Sequence, residues 1–123
     1  IALEIKGPEG NTELFYIPGC ANMPDWLKER VDNANLVLFD GTLWTDDEMI
    51  KENVGIKTGQ RMGHMSMSGS SGSIEAFKEL DIKRKIFIHI NTTNPALLEK
   101  SSERKIANEA GWEISYDTME IKI

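Results

Sequence analysis

The chain has 123 residues, of which 40% are hydrophobic and 28% are charged, and its formal net charge is -6. This size and composition are typical of one globular domain. The acidic balance argues against a nucleic-acid partner, because no basic cluster is larger than Lys83-Arg84-Lys85. No apolar run is long enough to cross a bilayer, so we expect no membrane association. The single cysteine, Cys20, excludes an internal disulfide and fits a cytoplasmic protein.

The first part of the chain predicts a hairpin followed by a helix. Ile1–Ile5 and Glu13–Ile17 have strand patterns and flank a turn-forming stretch that ends at Asn11. Helical spacing of apolar residues predicts an amphipathic helix over Pro24–Ala34, with proline in its first turn. Because Ile1 opens an apolar strand with neither methionine nor a polar lead-in, we expect the chain to be a piece of a longer protein.

A third predicted strand carries the first candidate site residue. Leu36–Phe39 is apolar on both faces, which favours a buried central strand that ends at Asp40. A buried carboxylate must be hydrogen-bonded, paired with a cation or bound to a metal ion. Two interpretations therefore stay open for Asp40: a cap on the amides of Gly41 and Thr42, or a metal ligand. Three consecutive acids then open a short predicted helix, Asp47–Asn53, and we expect them to be solvated.

The next segment, Thr58–Ser73, is rich in glycine, serine and methionine and predicts an irregular loop. Long irregular loops in compact domains are usually functional. This loop carries His64, one of the two histidines in the chain. A phosphate-binding loop is disfavoured because the lysine-bearing pattern is absent. Ser71 or Ser73 is placed to cap a helix over Ile74–Leu80.

The other histidine ends an apolar strand. Ile86–Ile88 leads directly into His89, and turn-forming residues follow. Two interpretations of His89 stay open: a core histidine satisfied by one hydrogen bond, or a metal ligand or acid/base. The remaining chain predicts a helix over Leu97–Ala110 and one or two strands within Trp112–Ile123.

Asp40 and His89 both end buried strands, so they can emerge at the same edge of one sheet. A carboxylate with imidazoles suits zinc or non-haem iron. A catalytic metal usually needs three protein ligands, and the two histidines, His64 and His89, form no H-x-H pair. Either the remaining ligands lie on other sequence, or the site holds no metal.

Four sequence blocks resemble the coenzyme PQQ synthesis protein B family, which has the metallo-β-lactamase fold. These blocks are FDGTLWTDDEM (Phe39–Met49), TGQRMGHMSMSGSSGSIEAF (Thr58–Phe77), IFIHINTTNP (Ile86–Pro95) and AGWEISYDTMEI (Ala110–Ile121). The resemblance implies an α/β fold, namely the C-terminal half of an αββα sandwich with a mixed sheet and helices on one face. It also implies that residues 1–123 form one half-domain whose N-terminal half is absent.

The same resemblance implies roles for the candidate residues. His89 corresponds to the last histidine ligand of the metal and Asp40 to the carboxylate of the second-half metal motif. His64 corresponds to a loop histidine close to the metal, where it would move protons or orient a substrate phenol. The implied metal is Fe(II), or alternatively zinc, and the missing N-terminal residues would supply its other ligands.

The family takes part in the biosynthesis of pyrroloquinoline quinone (PQQ). The resemblance implies an iron-dependent oxygenase that hydroxylates the tyrosine of a precursor containing glutamate and tyrosine, alongside other PQQ biosynthesis proteins. Two alternatives stay open: a metallo-hydrolase of the same fold, and a carrier that transports PQQ or its precursor. We expect the isolated chain to be inactive, and we expect its apolar sheet face to favour a homodimer or aggregation.

Overall fold

The computed structural model describes residues 1–123 and contains one five-stranded mixed sheet. The strands are β1 (Leu3–Lys6), β2 (Thr12–Ile17), β3 (Val37–Asp40), β4 (Lys85–Ile88) and β5 (Trp112–Ile114). β1 and β2 form the predicted antiparallel hairpin, and β2 to β5 run parallel in sequence order. β3 is therefore the central strand, as its apolar sequence predicted.

Short helices connect the strands. They are α1 (Asp25–Val31), α2 (Glu48–Lys51), α3 (Gly59–Met62), α4 (Ser73–Ala76) and α5 (Ser102–Glu109), and a 3₁₀ turn covers Pro95–Leu97. None of these helices combines the length and the apolar character that crossing a bilayer requires.

The two faces of the sheet are covered differently. Alternate strand residues such as Phe39 and Phe87 pack with helical residues such as Leu27 and Ala107 in the larger core. The opposite face carries a small cluster of Leu14, Leu36 and Ile86, against which the C-terminal residues Met119 and Ile121 pack. The predicted α/β class, with a mixed sheet and helices on one face, is confirmed.

Four aromatic rings, from β3, β4, β5 and the end of α4, pack against one another in the larger core. Trp112 stacks on Phe87 with ring centroids 3.8 Å apart and planes at 13°. Phe77 meets Phe39 edge to face with centroids 4.8 Å apart. Such pairs each contribute about 0.5–1.5 kcal/mol beyond the area they bury. The pairing of β3 with β4 places Asp40 opposite Ile88, so Asp40 and His89 lie at the same edge of the sheet.

The predicted helix boundaries are wrong at several ends. α1 stops at Val31 rather than Ala34, because Asn33 adopts the left-handed conformation with φ of 65°. α5 begins at Ser102 rather than Leu97, because the Ser101 hydroxyl caps it by accepting the Arg104 amide at 3.0 Å.

Two further predictions about helices near the loop are wrong. α4 ends at Ala76 rather than Leu80, and neither Ser71 nor Ser73 caps it. Gly72 occupies the N-cap position, and the Ser73 hydroxyl is buried without a hydrogen-bond partner. The segment predicted to be an irregular loop contains one short helix, α3, which Thr58 caps by accepting the Arg61 amide.

The C-terminal segment forms one short strand, and the chain beyond it adds no second one. Met119 and Ile121 instead pack across the small apolar cluster, where burial of their side chains replaces strand pairing.

The three consecutive acids at the start of α2 also differ from expectation, because Glu48 is buried rather than solvated.

Candidate metal site

Asp40 is completely buried at the end of β3, and its carboxylate is fully hydrogen-bonded. Oδ1 accepts the Thr42 amide at 3.1 Å and the Thr42 hydroxyl at 2.7 Å. Oδ2 accepts the Cys20 amide at 2.9 Å and lies 2.8 Å from His64 Nδ1. These contacts occupy all the lone-pair directions of a carboxylate. They offset the cost of burying its charge.

The interpretation of Asp40 as a cap therefore holds for one of the two amide donors that were predicted. Thr42 donates to the carboxylate, whereas the Gly41 amide donates to the Ile88 carbonyl at 2.8 Å. This bond continues the pairing of β3 with β4 beyond the strand ends. Gly41 must be small, because a Cβ there would lie 2.8 Å from Phe87 Cβ.

His89 follows β4 in the left-handed backbone conformation, with φ of 57°. Non-glycine residues seldom adopt this conformation, and it often marks a functional position. The backbone on both sides is tied to the β3 loop, because Ile88 O accepts from Gly41 and Asn91 N donates to Thr42 O at 3.0 Å. The turn presents an exposed imidazole rather than a core histidine. Its Nδ1 lies 2.8 Å from Thr42 Oγ1.

His64 reaches the same point from the glycine- and serine-rich loop. It follows Gly63, which ends α3 with φ of 85°, a conformation that glycine adopts without strain. The Met65 amide donates to Cys20 O at 2.7 Å and fixes the loop beside the hairpin strand β2. The His64 side chain is 17% exposed, and its ring lies 5.3 Å from the His89 ring at an interplanar angle of 24°.

The structure thus brings together all three residues that the sequence selected. One ligand atom each from Asp40, His64 and His89 lies within 4.8 Å of the others. Two imidazoles and a carboxylate are the ligand types that zinc and non-haem iron accept. The donor set therefore fits a transition metal ion.

Sequence reasoning missed a fourth polar group at this site, the hydroxyl of Thr42. It contacts Asp40 Oδ1, His89 Nδ1 and, at 3.2 Å, His64 Nδ1. Its position two residues after the carboxylate was the available signal, but only its amide was considered as a partner.

Two buried polar side chains hold the loops around the site. Asn94 is 2% exposed and donates to Gly41 O at 2.9 Å, while its Oδ1 accepts the Ala96 amide at 2.9 Å. Its amide nitrogen also lies 3.1 Å from Met67 Sδ. One side chain therefore connects the loops that carry Asp40, His64 and His89.

Glu48 makes a second connection between loops. Its Oε1 accepts the amides of Trp44 and Thr45 at 2.6 and 3.0 Å. Its Oε2 accepts the Thr93 hydroxyl at 2.6 Å, and Thr93 in turn accepts from Asn91. The buried carboxylate therefore fastens the turn after His89 to the start of α2.

Cys20 contributes to the site through its backbone. Burial raises the pKa of its thiol, and the nearby Asp40 carboxylate adds to this effect, so the protonated thiol is a poor ligand and nucleophile. Its Sγ lies 2.9 Å from the Asn22 carbonyl. Cys20 is therefore a small residue in a tight loop, and its amide rather than its thiol supports the site.

A cavity of about 540 Å³ opens beside His89. Ligand pockets commonly have volumes of about 300–1,000 Å³. Among the residues that line it are His89, Leu97, Glu99, Arg104, Tyr116 and Asp117. The lining mixes apolar side chains with both signs of charge, next to the candidate metal site.

Comparison with known proteins places the chain among relatives of this architecture. Residues 1–90 match the beta-lactamase superfamily domain. The chain is 58% identical over 113 residues to coenzyme PQQ synthesis protein B of Gluconacetobacter diazotrophicus, covering 92% of this chain and 37% of that protein. It is 56% identical over 110 residues to the protein of the same name from Xanthomonas oryzae pv. oryzae, covering 89% of this chain and 37% of the relative.

A crystal structure of zinc-bound PqqB from Methylobacterium extorquens superposes with a TM-score of 0.88 at 46% identity. The match covers 93% of this chain and 40% of that structure. The chain thus spans well under half the length of the relatives it matches, less than the half that the resemblance implied.

The chain belongs to the beta-lactamase superfamily. Within that superfamily, its predicted resemblance to coenzyme PQQ synthesis protein B is confirmed over most of its length.

Proposed function

We propose that the protein acts in PQQ biosynthesis as an iron-dependent oxygenase that hydroxylates the tyrosine of a peptide-derived precursor. The observation that carries this proposal is the cluster of Asp40, His64 and His89, in a chain 58% identical to a PQQ synthesis protein. The cluster combines a histidine that can bind a metal ion, a buried carboxylate and a second histidine that can carry a proton.

His89 is the proposed metal ligand, through Nε2 of its neutral imidazole. Asp40 is proposed either to bind the metal or to order a metal-bound water through its neighbours. The second role is favoured because both carboxylate oxygens already accept hydrogen bonds. Residues outside this chain would supply the remaining ligands, and the bound iron would supply oxygen activation.

His64 is the proposed proton carrier. Its Nδ1 faces the Asp40 carboxylate at 2.8 Å, which stabilises a positive charge on the ring when Nε2 takes a proton. This pairing lets His64 accept the proton of a substrate phenol and return it later. The cavity beside His89 is large enough for a dipeptide-sized substrate, and Tyr116 and Leu97 give it an apolar side.

One other function has a specific observation behind it. The related PqqB structure is zinc-bound. In many metalloenzymes a bound zinc ion activates water for hydrolysis. A metallo-hydrolase of the same fold is therefore the second candidate.

We further propose a cytoplasmic location, where the single thiol of Cys20 stays reduced, and partners among other PQQ biosynthesis proteins.

The test uses the intact protein, loaded anaerobically with Fe(II) or with Zn(II) and mixed with the tyrosine-containing precursor. The proposal expects the iron form alone to add one oxygen atom to the tyrosine, with one molecule of dioxygen and a two-electron reductant consumed and one molecule of water formed. His89→Ala should abolish this product, whereas the exposed control Lys105→Ala should retain it. Oxygen-independent turnover of an ester or phosphodiester by the zinc form would establish the hydrolase instead. Equal precursor binding with and without metal, and no turnover, would point to a carrier.

A further inference from the structure

We propose that Thr42 is a positioning residue whose hydroxyl selects the histidine tautomers of the site, so that His89 presents Nε2 to a bound metal and His64 keeps Nε2 free to take a proton. The expected effect on metal binding rests on the proposed function, whereas the hydrogen-bond geometry around Thr42 does not depend on it. It starts from one hydroxyl oxygen with three polar neighbours: Asp40 Oδ1 at 2.7 Å, His89 Nδ1 at 2.8 Å and His64 Nδ1 at 3.2 Å.

A hydroxyl has only one proton to donate, and this fixes the direction of each bond. An ionised Asp40 carboxylate can only accept, so the Thr42 hydroxyl donates to its Oδ1. The Thr42 oxygen must then accept from His89, which places a proton on His89 Nδ1. A neutral imidazole protonated on Nδ1 has its lone pair on Nε2.

The same reasoning fixes His64. Its Nδ1 lies 2.8 Å from Asp40 Oδ2, an acceptor, and 3.2 Å from the Thr42 oxygen. Both neighbours accept from it, so Nδ1 carries the proton in this ring too. The two histidines therefore share one tautomer, because the Asp40 carboxylate fixes the proton of His64 directly and that of His89 through the Thr42 hydroxyl.

The backbone of Thr42 holds its hydroxyl in place. The residue is 7% exposed, its amide donates to Asp40 Oδ1, and its carbonyl accepts the Asn91 amide at 3.0 Å. Thr42 thus bridges the loop after β3 and the turn that carries His89. Metal-binding histidines are commonly oriented by such a partner on the other ring nitrogen, and its loss typically lowers metal affinity about 10–100-fold.

The test compares Thr42→Val, which keeps the shape but lacks the hydroxyl, with Thr42→Ser, which keeps the hydroxyl. Nitrogen-15 NMR of the metal-free intact protein near pH 8 reports which ring nitrogen carries the proton. The wild type and Thr42→Ser should show the Nδ1-protonated form of His89, whereas Thr42→Val should shift His89 toward the Nε2-protonated form. Zinc affinity measured by calorimetry should fall about 10–100-fold in Thr42→Val and remain near wild type in Thr42→Ser.

An Nε2-protonated His89 in the wild type would overturn the proposal. This measurement needs no variant, so the proposal remains testable even if Thr42→Val misfolds. An unchanged tautomer and unchanged zinc affinity in a folded Thr42→Val would also overturn it. If the wild-type protein binds no metal, the proposed function fails, but the tautomer measurement still decides the role of Thr42.

Discussion

His64 Nδ1 lies 2.8 Å from Asp40 Oδ2, although the two residues are 24 positions apart in the chain. The contact joins the end of the central strand to the glycine- and serine-rich loop. Because Asp40 is fully buried, this bond and its three companions hold the charge in a place where water cannot solvate it. The most buried member of the site is therefore also the one on which the positions of the others depend.

Replacing this carboxylate by its amide tests that dependence. Asp40→Asn places an NH₂ group among donors, so we expect a loss of about 1–3 kcal/mol in the free energy of unfolding, measured by urea denaturation. Asp81→Asn, at an exposed position, should change it by less than about 0.5 kcal/mol. If Asp40 orders the site without binding metal, the folded variant should retain part of its metal by elemental analysis. Complete loss from a folded variant would instead identify Asp40 as a direct ligand.

The backbone of His89 provides a prediction that separates strain from chemistry. His89→Gly and His89→Ala both remove the imidazole, but only alanine must hold a Cβ at φ of 57°. We expect the glycine variant to be more stable than the alanine variant by about 1 kcal/mol in urea denaturation.

A matched pair within a helix should give the opposite order. At the exposed helical position Lys105, alanine should be more stable than glycine by about 1 kcal/mol. If alanine is also favoured at position 89, the turn does not have the left-handed conformation described above.

Asn94 should matter far more than its distance from the proposed chemistry suggests. Asn94→Ala leaves Gly41 O and the Ala96 amide without their buried partners, so we expect a loss of about 2–4 kcal/mol in the free energy of unfolding. Hydrogen exchange should also accelerate at the amides after β3 and β4. Asn108→Ala, on the exposed face of α5, is the control and should leave both measurements near wild type.

The ion pair between Arg84 and Glu113 predicts a pH dependence of stability. Hydrogen bonds from Arg84, reinforced by its charge, lower the pKa of Glu113 below its ordinary value of 4.5. A lowered acid pKa contributes stability that is present above the ordinary value and is lost as pH falls through the lowered one. The pair is partly exposed, so the contribution is small.

The corresponding measurement compares wild type with Glu113→Gln across pH. The wild type should be the more stable protein at neutral pH, and the difference should close as pH falls below 4.5. A difference that stays constant with pH would show that the charge on Glu113 contributes nothing.

Several parts of the fold could be predicted from local sequence alone. The β1–β2 hairpin and the central position of β3 follow from short-range patterns of apolar residues and turn formers. Helix ends were predicted poorly, because they depend on single caps such as Ser101 and on the backbone of Asn33. Glu48 was expected in water because sequence does not reveal which loops will fold back over a carboxylate.

The sequence by itself determined the candidate residues Asp40, His64 and His89, because each lies at a strand end or in a polar loop that interrupts apolar chain. Only the tertiary structure decided how they relate. The parallel pairing of β3 with β4 sets the strand ends side by side, and a long-range hydrogen bond brings in His64. The role of the Thr42 hydroxyl was invisible in sequence for the same reason, since two of its three partners come from segments distant in the chain.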